Sequence, residues 1–361
     1  MAKHKTNESI PKSMFTTCCI RHTVPVDNKS EDCLYLNAWV PQGGRKKKHA
    51  MIWIYFGGFV VGDIQRFDGK VLAASADVIV FTLSYRTGPL RFLYLDDTAA
   101  PGNMGLMDQG LAIEWIYDNI KKFGGNRKKI TLFGQSAGAA SINYHMFSSV
   151  TQRYFQKAII MSAAADSSFT YHSPEVALDT GIAFAIEVGC KESTVVSSLQ
   201  CLRSLDASTL SALQLPPNPK PPVIFRTHLP TADALLFVSK PPAELLKDPL
   251  SISPIPLLVG VLKNELSFFI TYFVDASNET LNDIAEYYLA PYMPGEPPSY
   301  MDVLNDRNPN FKGDKCACND WNLYDNNDRK YLIIDSDCPL DGEALRELQW
   351  CAFLKNVTAT D

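Results

Sequence analysis

No histidine stands beyond position 228: the six are His4, His22, His49, His145, His172 and His228 in a chain of 361 residues. The C-terminal third therefore offers no side chain of imidazole basicity near neutral pH. No run of 18 apolar residues occurs, which excludes a membrane-spanning helix. The first nine residues, Met1-Ala-Lys-His-Lys-Thr-Asn-Glu-Ser, are polar and contain no signal-peptide core. With 34 Lys and Arg against 39 Asp and Glu, the net charge is -5 and no basic footprint for nucleic acid exists. There is no internal repeat and no heptad. The nine cysteines do not stand at metal-ligand spacing with histidine, and Cys316-Ala-Cys318 lacks a matching second pair. No metal and no cofactor are expected.

What is present begins with cysteine itself. Nine cysteines and four N-x-S/T sequons, at Asn7, Asn28, Asn278 and Asn356, agree with disulfides, glycosylation and a secreted or extracellular location. The chain is 46% hydrophobic and long enough for a large core. It is read as one domain over 1–361, with a polar, Pro/Asn/Asp-rich, irregular segment at 291–330.

The stretch Ile130-Thr-Leu-Phe-Gly-Gln-Ser-Ala-Gly-Ala-Ala-Ser141 carries the chemistry. A β-like apolar run turns through Gly134-Gln-Ser-Ala-Gly138 into a helix of small residues. This is G-x-S-x-G in its strand–turn–helix setting, a nucleophile elbow. The Ser136 hydroxyl would stand above a sheet, with the Ala137 N–H directed at a developing oxyanion. A second contribution lies in Phe56-Gly-Gly-Phe-Val-Val-Gly62, which follows a strand-like run. The adjacent Gly57 and Gly58 there can present two backbone N–H groups to one oxygen.

Strands are expected at 33–40, 50–55, 78–84, 130–133, 158–161 and 255–261. The first two are read as joined by a solvated hairpin turn at Arg45-Lys-Lys-Lys-His49. The runs at 78–84 and 255–261 read as buried strands, and 331–335 as a short one. A helix follows Pro101-Gly-Asn103, with Leu111, Ile113, Trp115, Ile116 and Ile120 at helical spacing, and stops at Phe123-Gly-Gly125. Residues 216–222 form a stiff proline-rich linker, and 342–355 an amphipathic closing helix. Strands alternating with helices at this spacing give an α/β fold with a mostly parallel sheet.

Taken together, the chain resembles the type-B carboxylesterase and cholinesterase family of α/β hydrolases. The matching pieces are Ser30-Glu-Asp-Cys-Leu-Tyr-Leu-Asn37 with Trp39-Val-Pro41, Trp53-Ile-Tyr-Phe-Gly-Gly-Phe59, Ser84-Tyr-Arg86, Pro101-Gly-Asn103, Gly105-Leu106, Asp108-Gln109, Asp118-Asn119, Phe123-Gly-Gly-Asn126 and the elbow. The resemblance implies an α/β-hydrolase fold with Ser136 as nucleophile, Gly57, Gly58 and Ala137 as oxyanion donors, and a small ester as substrate. Glu265, in Gly260-Val-Leu-Lys-Asn-Glu-Leu-Ser267, resembles the acid of the triad. Cys190 and Cys201 resemble the family's small loop disulfide. Cys33 resembles one end of an N-terminal loop disulfide, with Cys18 or Cys19 as its mate, and Cys351 a C-terminal cysteine of cholinesterases.

The departures are as informative. Phe56 replaces the first glycine of the oxyanion loop, and Gln135 replaces the acidic neighbour of the nucleophile. Thr23 stands where a choline-binding tryptophan belongs, forfeiting a cation–π contact of about 0.5–2 kcal/mol. The family's N-terminal strands are not found. The triad order on this fold is Ser, acid, His, yet every histidine precedes Glu265. His145 lies nine residues along the departing helix, about 13 Å of rise from Ser136, and reads as a packing residue. His228 reads no better as a base. Two functions follow: a serine ester hydrolase lacking its catalytic histidine segment, or an inactive cholinesterase-like binding or adhesion protein.

Overall fold

A computed structural model describes residues 31–43, 47–167, 169–212, 228–232, 237–248, 251–262, 314–315 and 332–333. The chain divides into two compact units, 1–297 and 298–361. The first holds β1 (Leu36–Trp39), β2 (Lys48–Ile54), α1 (Lys70–Ala76), β3 (Ile79–Leu83), α2 (Pro89–Phe92), β4 (Tyr94–Asp97) and β5 (Ala100–Pro101). It continues through α3 (Met104–Asn119), β6 (Gly125–Gln135), α4 (Ala137–Phe147), β7 (Lys157–Met161) and α5 (Pro174–Glu187). After these come α6 (Val195–Ser204), α7 (Ala207–Ala212), α8 (Pro242–Leu245) and β8 (Leu257–Gly260). In the second unit, β9 (Asp314–Lys315) and β10 (Leu332–Ile333) pair in parallel.

Six strands of the first unit form one sheet in the order β1-β3-β2-β6-β7-β8. Only β1 runs antiparallel to its neighbour, β3; the other four pairings are parallel. Parallel strands covered on both faces should be apolar throughout, and every residue of β3 is buried. Around Ala50, Ile52, Ile54, Phe81, Ile130 and Leu132 the sheet shares one core with Ile113 and Ile116 of α3 and Ala139 and Ile142 of α4.

Three expectations are corrected here. The first two strands do not form a hairpin, because β3 lies between them. The apolar run of β2 belongs at the centre of the sheet, and a crossover through α1 returns the chain to pair β3 in parallel at its side. The end of the basic run accordingly does not stay in water: Lys48 is 5% and His49 8% exposed, within β2. The Lys48 ammonium is held by Asp77 and the Gly43 carbonyl. In α3, Leu111 and Trp115 face outward, while Asp108 and Gln109 are buried with partners. The strand at 257–260 pairs with β7 but is not buried, since Leu257 is 45% and Val259 61% exposed.

The glycine stop of α3 is as expected: a 3₁₀ turn over Ile120–Phe123 closes on Gly124 in the left-handed region at φ 81°. Between α5 and α6, Cys190 and Cys201 form a disulfide with Cα atoms 5.4 Å apart. It borders a smaller core of Leu95, Phe184, Leu199 and Leu202. Cys33 is also disulfide-bonded; Cys18, Cys19 and Cys351 lie outside the described residues, as do 216–222 and 342–355. Replacing Cys190 and Cys201 with Ser should lower stability by about 3 kcal/mol, the loop-closure entropy of a short ring. Urea unfolding of the oxidised protein and the double variant measures it, and coincident midpoints would refute it.

Candidate active site

Parallel pairing decides which loops meet. β2 and β6 are neighbours with Ile54 beside Gly134, so the chain leaves both strands at the same edge of the sheet. From β2 it enters the loop holding Gly57 and Gly58; from β6 it enters the turn at Ser136. The third strand ending there is β7, with Met161 beside Gln135. The Ser136 N–H donates to the Met161 carbonyl at 2.9 Å, tying the turn to that strand.

Ser136 itself has φ 53° and ψ -124°. A positive φ is unfavourable for a residue with a side chain, and such strain concentrates at functional sites. The turn is this tight because the new helix starts against the neighbouring strand. A Cβ on Gly138 would sit 2.0 Å from the Ile54 carbonyl oxygen. Only glycine permits that approach. As the first residue of α4, Ala137 has an N–H with no partner inside the helix, which is the donor an oxyanion requires.

The β2 loop is curled on itself. The Gly57 carbonyl accepts from the N–H groups of both Val60 and Val61, each at 3.0 Å. Gly57 has φ 132°, and a Cβ there would collide with the Val61 oxygen at 1.7 Å. Behind the loop, Tyr55 and Tyr85 stack at 4.2 Å, and each hydroxyl donates to the other residue's carbonyl, at 2.6 and 2.9 Å. Phe56 is 43% exposed, packed edge-on against Phe67.

Several residues of the sequence motifs turn out to be scaffold. Arg86 donates through Nε and its backbone N–H to Asp108, at 2.5 and 3.1 Å. Asn103 clamps Thr231, donating to its carbonyl at 2.7 Å and accepting its N–H at 3.0 Å. Gln109 and Ser141 lie within hydrogen-bond distance of one another beneath α4; no pattern in the sequence marks that pairing.

Among the described residues the histidines give no exposed base. His145 is fully buried in α4, with Nε2 2.9 Å from Gln109 Oε1 and Nδ1 3.2 Å from Thr151 Oγ1. Burial pushes its pKa down to about 3. It packs, as its helical position implies. His228 is buried against Phe184, its pKa lowered to about 3 by burial and by neighbouring His172. His172 is lowered to about 4 by burial. His4, His22 and Glu265 lie outside the described residues; the Ser136–Ala137 turn and the Gly57–Gly58 loop leave adjacent strand ends. Among the described residues no cluster of three or more His, Cys, Asp or Glu suits a metal ion.

A profile described as "Carboxylesterase family" matches residues 2–315. The chain belongs to the carboxylesterase family. Its mostly parallel sheet with flanking helices is the α/β-hydrolase arrangement. Among family relatives, it is 38% identical to Cholinesterase 1 of Branchiostoma lanceolatum over 272 residues, 71% of this chain and 73% of that protein. It is 38% identical to a cholinesterase of Mus musculus over 251 residues, 69% of this chain and 41% of the other. With an acetylcholinesterase of Bungarus fasciatus the identity is 35% over 269 residues, 73% and 44% of the two chains. The matched region thus spans less than half of the mouse and krait relatives. No described helix is long and apolar enough to cross a membrane.

Proposed function

We propose that this chain is a serine ester-hydrolase scaffold acting on a small ester. Ser136 Oγ would attack the ester carbonyl, the N–H groups of Gly57, Gly58 and Ala137 would receive the oxyanion, and Glu265 would be the acid. The bond to the leaving alkoxide then breaks, leaving an acyl group on Ser136 for water to remove. The observation that carries this reading is the strained backbone of Ser136, held at positive φ where a helix N-terminus meets two neighbouring strand ends. A surface that only binds a partner does not need that strain.

In this sequence no histidine follows Glu265, so the order of serine, acid and histidine is not completed. That absence favours the second reading, a cholinesterase-like binding or adhesion protein. Gln135 in place of a carboxylate, and Thr23 in place of an aromatic ring, remove two attractions for a choline headgroup, so the ester need not be cationic. The disulfides support an oxidising, extracellular setting.

Covalent capture separates the two readings, since one turnover suffices. A fluorophosphonate loses fluoride as Oγ bonds to phosphorus. Over hours at pH 8 the native protein should acquire one phosphonyl group, mapped to Ser136 by peptide mass. The Ser136→Ala variant and urea-unfolded protein should acquire none. Native protein that stays unlabelled would leave only the binding reading.

A further inference from the structure

The first five residues of α4 are Ala137, Gly138, Ala139, Ala140 and Ser141, and four of them carry no side chain beyond Cβ. Small side chains allow close approach but give little directional resistance to rotation of the helix about its axis. Nor does any side chain cap its N-terminus. Direction comes from behind. Ser141 Oγ donates to the Ala137 carbonyl at 2.8 Å, so its lone pairs are free to accept from Gln109 Nε2 at 3.1 Å. That orients the Gln109 amide with Oε1 toward His145 Nε2 at 2.9 Å. A carbonyl oxygen only accepts, so Nε2 carries the proton and the neutral ring presents Nδ1 as acceptor to Thr151 Oγ1. The Thr151 hydroxyl also reaches the His145 carbonyl at 3.1 Å. Ser141, Gln109, His145 and Thr151 are all at most 1% exposed.

We infer that Gln109, Ser141 and His145 are positioning residues for Ser136, holding the first turn of α4 so that the Ala137 N–H faces the developing oxyanion; this rests on the ester-hydrolase reading. Each donor in the chain points toward the elbow, from His145 through Gln109 and Ser141 to Ala137. A reversal at any link releases the last one. Gln109→Glu makes such a reversal at nearly constant volume, because a carboxylate has no proton to give Ser141. Ser141→Ala removes the link by one atom.

The test is the kinetics of fluorophosphonate capture, divided into the reagent's binding constant KI and the first-order step. It is run at 15 °C, with circular dichroism verifying that each protein is folded. Ser141→Ala and Gln109→Glu should each slow the first-order step at least tenfold and leave KI within twofold. Ser141→Thr, which keeps the hydroxyl, should return to within threefold of the parent. Variants that label at the parent rate, a loss that appears in KI, or a Ser141→Thr rate no better than that of Ser141→Ala would overturn the positioning role. Parent protein that labels no faster than Ser136→Ala would overturn the ester-hydrolase reading and the positioning role together.

Discussion

Purified, disulfide-bonded protein should hydrolyse an activated ester such as p-nitrophenyl acetate slowly, within a few-fold of its Ser136→Ala variant. A serine hydroxyl is a weak nucleophile at pH 7 until an adjacent base takes its proton. The buried histidines do not substitute. Both nitrogens of His145 face partners within α3 and the α4–β7 connection, and its pKa is held near 3. In a serine-protease triad, loss of the histidine alone costs about 10⁶ in kcat, nearly as much as loss of all three members. The oxyanion hole and substrate binding still leave roughly 10³–10⁴ over the uncatalysed rate. Burst kinetics with multiple turnovers, abolished by Ser136→Ala, would show that another group supplies the base and would refute the prediction. Slow capture of one phosphonate and near-absence of turnover are compatible, because only turnover demands that the step repeat.

Acid should begin to destabilise this protein at about pH 6.5, above the range where carboxylates titrate. His145, His172 and His228 have folded pKa values lowered to about 3, 4 and 3, chiefly by burial, against about 6.5 in the unfolded chain. Burial favours the neutral ring, so the unfolded state binds protons first as pH falls. The stabilisation is therefore complete above pH 6.5 and is lost from there down toward pH 4. Each proton taken up on unfolding contributes about 1.4 kcal/mol per pH unit, so three give a slope of about 4 kcal/mol per unit. By pH 4.5 the loss is on the order of 8 kcal/mol, comparable to the whole stability of a typical domain. His172 Nδ1 and His228 Nε2 are buried without hydrogen-bond partners among the described residues, so no described carboxylate meets those atoms to welcome the charge. Urea midpoints from pH 7.5 to 4.5 measure the slope. Replacing His228 with Leu should remove about a third of it. Stability that stays level between pH 6.5 and 5 would contradict the assignment.

The strand–turn–helix at Ser136 was legible because its requirements are local. A strand run, two glycines around a serine, and a helix of small residues stand within twelve positions, and each glycine answers a contact only a few ångströms away. The glycine stop after Phe123 and the nearly continuous apolar run of β3 were legible for the same reason. Short-range sterics and burial on both faces write themselves directly into neighbouring residues. The disulfide between Cys190 and Cys201 came from family resemblance, and the Cα separation agrees with it.

What tertiary structure decided was order and company. Sequence adjacency suggested a hairpin of the first two strands, but the sheet inserts β3 between them and draws Lys48 inward to Asp77. Periodicity marked α3 as a helix but not which of its residues go inside: Ile113 and Ile116 are buried and Leu111 and Trp115 are not, while Asp108 and Gln109 are inside because Arg86, Ser141 and His145 await them. The apolar run at 257–260 looked buried, yet exposure depends on what pairs beyond an edge strand, which its own residues do not encode. Ser136 and the Gly57–Gly58 loop lie about eighty positions apart in the chain, and their meeting follows only from the register that sets Ile54 beside Gly134. Local sterics determined the turn; long-range pairing determined what stands around it.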